Sequence, residues 1–345
     1  MSCNLLVRYG IFLNICTKEL KLKVQEYSDR FPVMTYSVKK RFVFAIIVVA
    51  AIILIAGYAI GCYFINYALK RGNETDPLAP PSACVSILDR NVIVPSMPEA
   101  PAEKWTITAP ENRKLFATFY VPATEKHLWV ILAHGYGRNQ RYVGDFAKAY
   151  LQRNWNVLTP DLCASGESEG QYITMGIKES VEIVLWAKKI IERDPKAQIV
   201  LHGISMGAAS VLMSAANNNV PGLKSVIEDC SYTSAYEMFA RQLEVLFGLP
   251  EFPVMSCIDL VSGIKIGARI SDASPLKVMS RINVPVMFIH GDKDTLVPLY
   301  MMEQLYDSCR GPKTKLVVKG AGHGDSLKEA GDEYWKAVFS FISSA

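Results

Sequence analysis

Between Gln198 and Met213 the backbone has almost no choice. The apolar run Gln198-Ile199-Val200-Leu201-His202 has the length and continuity of a buried strand, and Ala208-Ala209-Ser210-Val211-Leu212-Met213 reads as a packed helix. Gly203-Ile204-Ser205-Met206-Gly207 joins them. A reversal that tight forces its apex residue into strained backbone, and the flanking glycines leave room where a Cβ would clash. The Ser205 hydroxyl is then expected to project from the sheet edge, with the positive N-terminal end of the next helix aimed at it. A Gly- and Ser-containing loop without chemistry is the plainer alternative, and the strand before and helix after argue against it.

The same alternation continues on both sides. Lys114 to Val121 alternates as a strand near a sheet edge does, and Leu128 to Leu132 is a continuous apolar strand ending at His134-Gly135-Tyr136-Gly137. Asn156 to Thr159, Ser225 to Ile227, Pro285 to Ile289 and Lys315 to Val318 read as further strands. Helical periodicity runs through Phe146 to Leu151, Met175 to Arg193, and a final helix carrying Tyr334, Trp335, Val338, Phe339 and Ile342. Apolar strands separated by helices predict an α/β fold with a mostly parallel sheet covered on both faces. One stretch, 231–274, breaks the rhythm with a helical piece, Tyr236 to Phe247, and then Gly- and Pro-punctuated segments. It is expected to lie over the carboxyl ends of the strands as a small helical lid, where open parallel sheets bind ligands; a plain structural excursion is the alternative.

The N-terminal part follows a different logic. No charged residue occurs from Phe42 to Leu69, and Phe42 to Tyr63 is almost wholly apolar. About twenty residues at roughly 1.5 Å rise span a ~30 Å hydrocarbon core, which predicts one transmembrane helix. Lys39-Lys40-Arg41 precede it, and Lys70-Arg71 after it are offset by Glu74 and Asp76. The positive-inside rule then puts residues 1–41 in the cytoplasm as a tail and the later residues outside. A cleaved signal peptide is the rival reading, although its apolar part is usually only about 7–15 residues; Ala59-Ile60-Gly61-Cys62 faintly resembles a lipoprotein cleavage box. Residues 1–33 carry no clear element, and Met34 before Thr-Tyr-Ser-Val-Lys-Lys-Arg would make a conventional start. Segment 70–99 reads as linker and approach to a domain covering 100–345, its Gly72 to Pro81 stretch extended by prolines.

A net charge of +4 makes no case for nucleic acid. The eight cysteines show no metal-ligand spacing. Buried free thiols are expected for most, with a disulfide among the last five left open.

A serine hydroxyl needs a base within hydrogen-bond reach. Of the five histidines, His323 lies in Gly320-Ala321-Gly322-His323-Gly324-Asp325, a glycine-rich loop after the last strand. His127 reads as exposed, and His134, His202 and His290 each precede a glycine at a strand end, where such residues brace loops. His323 is therefore the expected base. The orienting carboxylate is expected in His290 to Pro298: Asp294 is preferred, Asp292 suits the turn itself, and Asp229 is a third option that would cap or pack the lid. Backbone donors for an oxyanion would be the amides of Met206 and Tyr136, with the Tyr136 side chain lining the pocket. No cofactor and no metal are implied.

Taken as a set, these segments resemble the α/β-hydrolase superfamily. The carriers are His134 to Gly137, Pro160-Asp161 through Gly170, Gly203 to Gly207, Ser274-Pro275-Leu276, His290 to Pro298 and Gly322-His323, in the chain order Ser205, Asp294, His323. Within it, residues from about 100 to 343 are similar to bacterial serine esterases of the prolyl-oligopeptidase-like branch, and the anchor resembles those of single-pass, surface-displayed relatives. Cys163-Ala164-Ser165 departs from the pattern, since relatives often carry a basic residue and a histidine there, which puts the packing of that loop in question. The resemblance implies a serine hydrolase acting on carboxylic esters through an acyl-enzyme, the substrate a small or lipid-like ester and the membrane its other partner. Peptide or amide cleavage is the nearest alternative, and a non-catalytic binding protein on the same fold the more distant one.

Overall fold

The computed structural model describes residues 21–23, 25–26, 36–71, 97–124, 126–217 and 220–345. Most of the expected tail, the linker from Gly72 to Pro81, and Cys3, Cys16 and Cys84 lie outside the described residues. The chain forms two units, Met1–Ala59 and Ile60–Ala345. In the first, the described residues are helical at 21–23 and 25–26 and again from Tyr36. Helix α1 (Tyr36–Leu69) begins there and ends in the second unit. Its stretch from Lys39 is long and apolar enough to cross a membrane.

In the second unit the described residues form an eight-stranded sheet. Its strands are β1 (Ala102–Ala109), β2 (Arg113–Tyr120), β3 (Leu128–Ala133), β4 (Asn156–Pro160), β5 (Gln198–Ile204), β6 (Leu223–Asp229), β7 (Val286–Gly291) and β8 (Lys313–Val318). The order across the sheet is β1-β2-β4-β3-β5-β6-β7-β8. β1, β2 and β4 pair antiparallel, and every pair from β4 onward is parallel. The longer helices are α2 (Gly144–Leu151), α3 (Ile177–Arg193), α4 (Met206–Ala216), α5 (Ala235–Phe247), α6 (Glu251–Lys265), α7 (Leu299–Ser308) and α8 (Asp332–Ser344).

Side chains alternate along a strand, so each central strand feeds two cores. Trp129, Ile131, Leu201 and Phe288 point to the side covered by α3, α4 and α7, where Trp186, Leu212 and Met302 are buried. Val130, Leu132, Val200 and Ile289 point to the other side, against Phe146 and Tyr150 of α2 and Tyr334 and Val338 of α8. Both faces being buried explains why β3, β5 and β7 read as unbroken apolar runs.

Three expectations need correction. A strand, β1, precedes the first expected one; its exposed residues alternate with the buried Trp105 and Ala109, a pattern too polar to stand out. The segment after Phe247 folds as a second helix, α6, because Val254, Met255, Ile258, Val261 and Ser262 recur at helical spacing and are buried. His202 braces no loop: it is buried, with its ring between the hydroxyls of Tyr150 (3.1 Å) and Tyr334 (3.0 Å), and so ties α2 to α8 beneath the sheet. Among the described residues Cys62, Cys163, Cys230, Cys257 and Cys309 are free thiols.

Candidate active site

The strand order reverses between β3 and β5: the chain passes from β3 outward to β4, then returns to the far side of β3 as β5. Loops leaving the carboxyl ends of β3 and β5 therefore diverge and leave a crevice, the place where open parallel sheets bind ligands. Ser205 stands there, at φ 55° and ψ −118°, a conformation no ordinary residue adopts without being held. Its amide donates to the Asp229 carbonyl (2.8 Å), and its carbonyl accepts from the Ala209 amide (3.0 Å). A Cβ on Gly203 would lie 2.3 Å from the Gly207 carbonyl oxygen, and one on Gly207 would lie 2.1 Å from that of Ala133. The glycines are there because backbone passes where side chains would be. Gly135, at the end of β3, faces the serine with its Cβ position 3.4 Å from the Ser205 Cβ.

His323 follows β8 and reaches back to the same crevice. Its Nε2 lies 2.8 Å from the Ser205 Oγ, and its Nδ1 lies 2.7 Å from Asp294 Oδ2. The three residues expected from the sequence thus meet, although 118 positions separate Ser205 from His323. The Asp294 side chain is wholly buried and that of His323 is about a fifth exposed. Asp294 Oδ1 accepts the amides of Leu296 (3.0 Å) and Val297 (2.8 Å). Burial works against the charge of Asp294, but hydrogen bonds from His290, His323 and the Val297 amide outweigh it and hold the carboxyl down at about 2. The carboxylate is ionised at neutral pH and fixes the imidazole with one nitrogen toward the serine.

The alternatives to Asp294 have other work. Asp292 accepts the Gly320 amide (2.6 Å) and ties the two loops together. Asp229 does not cap the lid, contrary to expectation: its carboxylate accepts the hydroxyls of Ser326 (2.8 Å) and Tyr334 (3.0 Å). Strand alternation turns it to the α8 side of the sheet, away from α5. His290 went unnoticed beyond bracing a loop. It does hold the Val297 carbonyl (2.7 Å), yet the same nitrogen lies 3.3 Å from Asp294 Oδ2. The signal was its spacing of four from Asp294 across a tight turn. Next to it, Glu228 is fully buried, with one oxygen on the Ser231 amide (2.9 Å). Burial above all, with Asp229 adding, pushes its carboxyl up to about 8, opposed by His290 and the Ser231 amide.

The unusual Cys163-Ala164-Ser165 loop is held by partners that the sequence did not advertise. Glu182 of α3 accepts the Cys163 amide (2.9 Å) and the Arg113 guanidinium (2.5 Å). Asp161 accepts the amides of Gln140 (2.8 Å) and Glu167 (2.9 Å), and His134 Nε2 accepts that of Leu162 (3.1 Å). His134 therefore braces loops, as expected. The Tyr136 side chain, expected to line a pocket, donates its hydroxyl to the Ala68 carbonyl in the last turn of α1. One donor set that a metal could use includes these residues: ligand atoms of Cys230, Asp294 and His323 lie within 4.8 Å of one another. Burial holds the Cys230 thiol in its protonated form, which is a poor ligand, and metal there would compete with Ser205 for His323.

A strained serine turn after the central strand of such a sheet, with a histidine loop after its last strand, defines the α/β-hydrolase class. A family model described as "Serine hydrolase (FSH1)" matches residues 164–324. The chain is 29% identical to the protein YqkD of Bacillus subtilis over 220 residues, 62% of this chain and 71% of that one. It is 21% identical to the membrane protein YNL320W of Saccharomyces cerevisiae over 253 residues, 73% and 83% of the two chains. Among solved structures, the Pyrococcus furiosus esterase Pf2001 shares the fold with a TM-score of 0.58 at 22% identity, covering 72% of this chain and 97% of that one. The chain thus has the α/β-hydrolase fold and over residues 164–324 is similar to the serine hydrolase family, with an apolar helix, α1, ahead of that unit.

Proposed function

We propose that the protein is a membrane-anchored hydrolase that cleaves carboxylic acyl esters. Ser205 attacks the carbonyl carbon while His323 takes its proton, and Asp294 orients the ring and stabilises the imidazolium that forms. The amides of Met206, at the start of α4, and Tyr136, next to Gly135, are the oxyanion donors in this reading. His323 then returns its proton to the leaving alcohol. Water, activated by the same imidazole, releases the acid and frees Ser205. The observation that carries the reading is the 2.8 Å contact between Ser205 Oγ and His323 Nε2, made by a serine at positive φ. The fold shared with an esterase supports an ester as the first substrate to try.

Labelling the folded protein with a fluorophosphonate tests the nucleophile. The probe should attach to Ser205 and fail with Ser205→Ala; an unlabelled native protein would favour a binding role. A series of p-nitrophenyl esters of increasing chain length, run beside peptide anilides, tests the bond: anilide turnover above ester turnover would replace esterase by amidase. Lys39-Lys40-Arg41, in the first turns of α1 just ahead of its apolar run, supports a cytoplasmic N-terminus and an extracytoplasmic catalytic domain. Protease added to intact cells should then digest the domain, and protection would reverse the orientation.

A further inference from the structure

The last turns of α1 are a structural part of the hydrolase unit. Gly61 meets α6 so closely that a Cβ there would lie 2.6 Å from Val261 Cγ2 and 2.8 Å from the Cys257 carbonyl oxygen. Ile65 and Leu69 are fully buried. The rings of Phe64 and Tyr67 stand edge-on to Phe247 of α5, with centroids 5.2 and 5.6 Å away. Asn66 Oδ1 accepts from Lys265 Nζ (2.8 Å) and the Tyr172 hydroxyl (3.0 Å), which marks where the helix turns polar.

Gly61 belongs to the uninterrupted apolar run that ends at Tyr63, so the α6 backbone it touches lies at the level of the last turn of the span. Helices α5 and α6 carry large apolar side chains left open among the described residues: Phe252 is 77% exposed, Val245 64%, Ile264 54% and Leu260 43%. Leu260 and Ile264 are four apart and lie beside Val261, on the stripe next to the contact with α1. Exposed large apolar side chains grouped on neighbouring helices mark an interaction surface. Continuity with a membrane span selects the bilayer as its occupant over a second copy of the chain, because lipid must already lie against the open side of the helix at that level, where Tyr63 is 59% exposed.

An apolar groove lies between the same elements, lined by Phe64, Ala68, Phe239, Leu243, Leu246 and Met255. Ala68 lines it, and the Ala68 carbonyl holds the Tyr136 hydroxyl. The backbone of Tyr136 follows Gly135, which abuts Ser205. Tyr136 therefore links the lining of the groove to the loop beside the nucleophile.

We propose that the α5–α6 face is seated in the interfacial layer of the bilayer, and that the substrate is an ester of an amphiphilic lipid whose acyl chain enters from the membrane along the groove between α1 and α5. The substrate class rests on the hydrolase reading above; the membrane seat does not. The test uses full-length protein in proteoliposomes of phosphatidylcholine with brominated acyl chains, carrying an added tryptophan as Phe252→Trp or Leu260→Trp. The added fluorescence should be quenched by more than half, and that of Val181→Trp on α3 left unquenched. Absence of quenching at both α5–α6 positions overturns the seat, and so does a dimer seen by native mass spectrometry that buries them. Activity supplies the second arm. The double variant Phe252→Asp, Leu260→Asp should hydrolyse 1-oleoylglycerol in the same vesicles at least tenfold more slowly, with p-nitrophenyl butyrate turnover unchanged. Equal loss on both esters would overturn entry from the membrane. Quenching without hydrolysis of either ester by the parent protein would retain the seat and refute the hydrolase reading instead.

Discussion

Asp294 is held by more than the histidine it orients. Two backbone amides and two imidazoles converge on it, which accounts for a carboxyl lowered to about 2 from an ordinary 3.8. A carboxyl lowered on folding contributes stability that is present above the unfolded value and is lost as pH falls through the folded one, here from about 4 to about 2. Asp294→Asn should favour the wrong imidazole tautomer, lowering kcat by roughly 10³–10⁴-fold on a soluble ester, and should also lower the melting temperature at pH 7, where the carboxylate's contribution is fully present. Glu228 has the opposite sign. Its carboxyl stands at about 8 against an ordinary 4.5 because burial disfavours the charge. Between those values the folded chain holds a proton that the unfolded chain has lost, so stability falls as pH rises across that window. Glu228→Gln keeps an acceptor for the Ser231 amide and cannot titrate. The difference in melting temperature between pH 5 and pH 8 should be smaller in this variant than in the parent. Asp229, at about 6, and the raised His290 slope the same way, so the difference will shrink without vanishing.

At the scale of elements, the turn from β5 into α4 is the least negotiable part of the molecule. Gly207 runs against the backbone of Ala133, which no rotamer change can move aside. Gly207→Ala should cost about 3 kcal/mol or more in urea unfolding, or leave the protein insoluble. A substitution as small at Gly137, where a Cβ would meet nothing within 4 Å, should leave no clash to relieve and cost only its positive-φ strain, about 1 kcal/mol. The same rigidity explains what could be read from the sequence. Strands buried on both faces, a turn with two obligatory glycines, and a glycine-bound histidine each leave a compositional trace. Tertiary choices leave none. Nothing near Asp229 says that its strand position turns it toward Tyr334. Nothing near His202 names its two tyrosine partners, which come from helices 52 and 132 positions away. β1 was missed because an edge strand exposed on one side looks like any polar segment, and α6 because its prolines and glycines outweighed a helical period. The packing at the end of α1 leaves no trace either, since Phe64, Ile65 and Leu69 are apolar whether they face lipid or protein.

For the whole molecule, the hold on α1 continues past the helix. Lys70 bridges to Tyr172, and the Arg71 amide donates to the Gln171 carbonyl (2.8 Å). The Arg71 guanidinium donates to the carbonyls of Ser168 and Gly166, both at 2.6 Å. The chain is thus pinned to the hydrolase unit on each side of residues 72–96, by Arg71 before them and by β1 after them. Covalent continuity across that interval is then not what keeps enzyme and anchor together. A protease site placed between Arg71 and Met97 and cut in detergent should give two fragments on a denaturing gel that still co-purify under native conditions. Release of the larger fragment would show the grip to be weaker than these contacts imply. A single nick in the connecting segment would therefore not release the larger part of the chain: the severed helix would remain as a bound subunit.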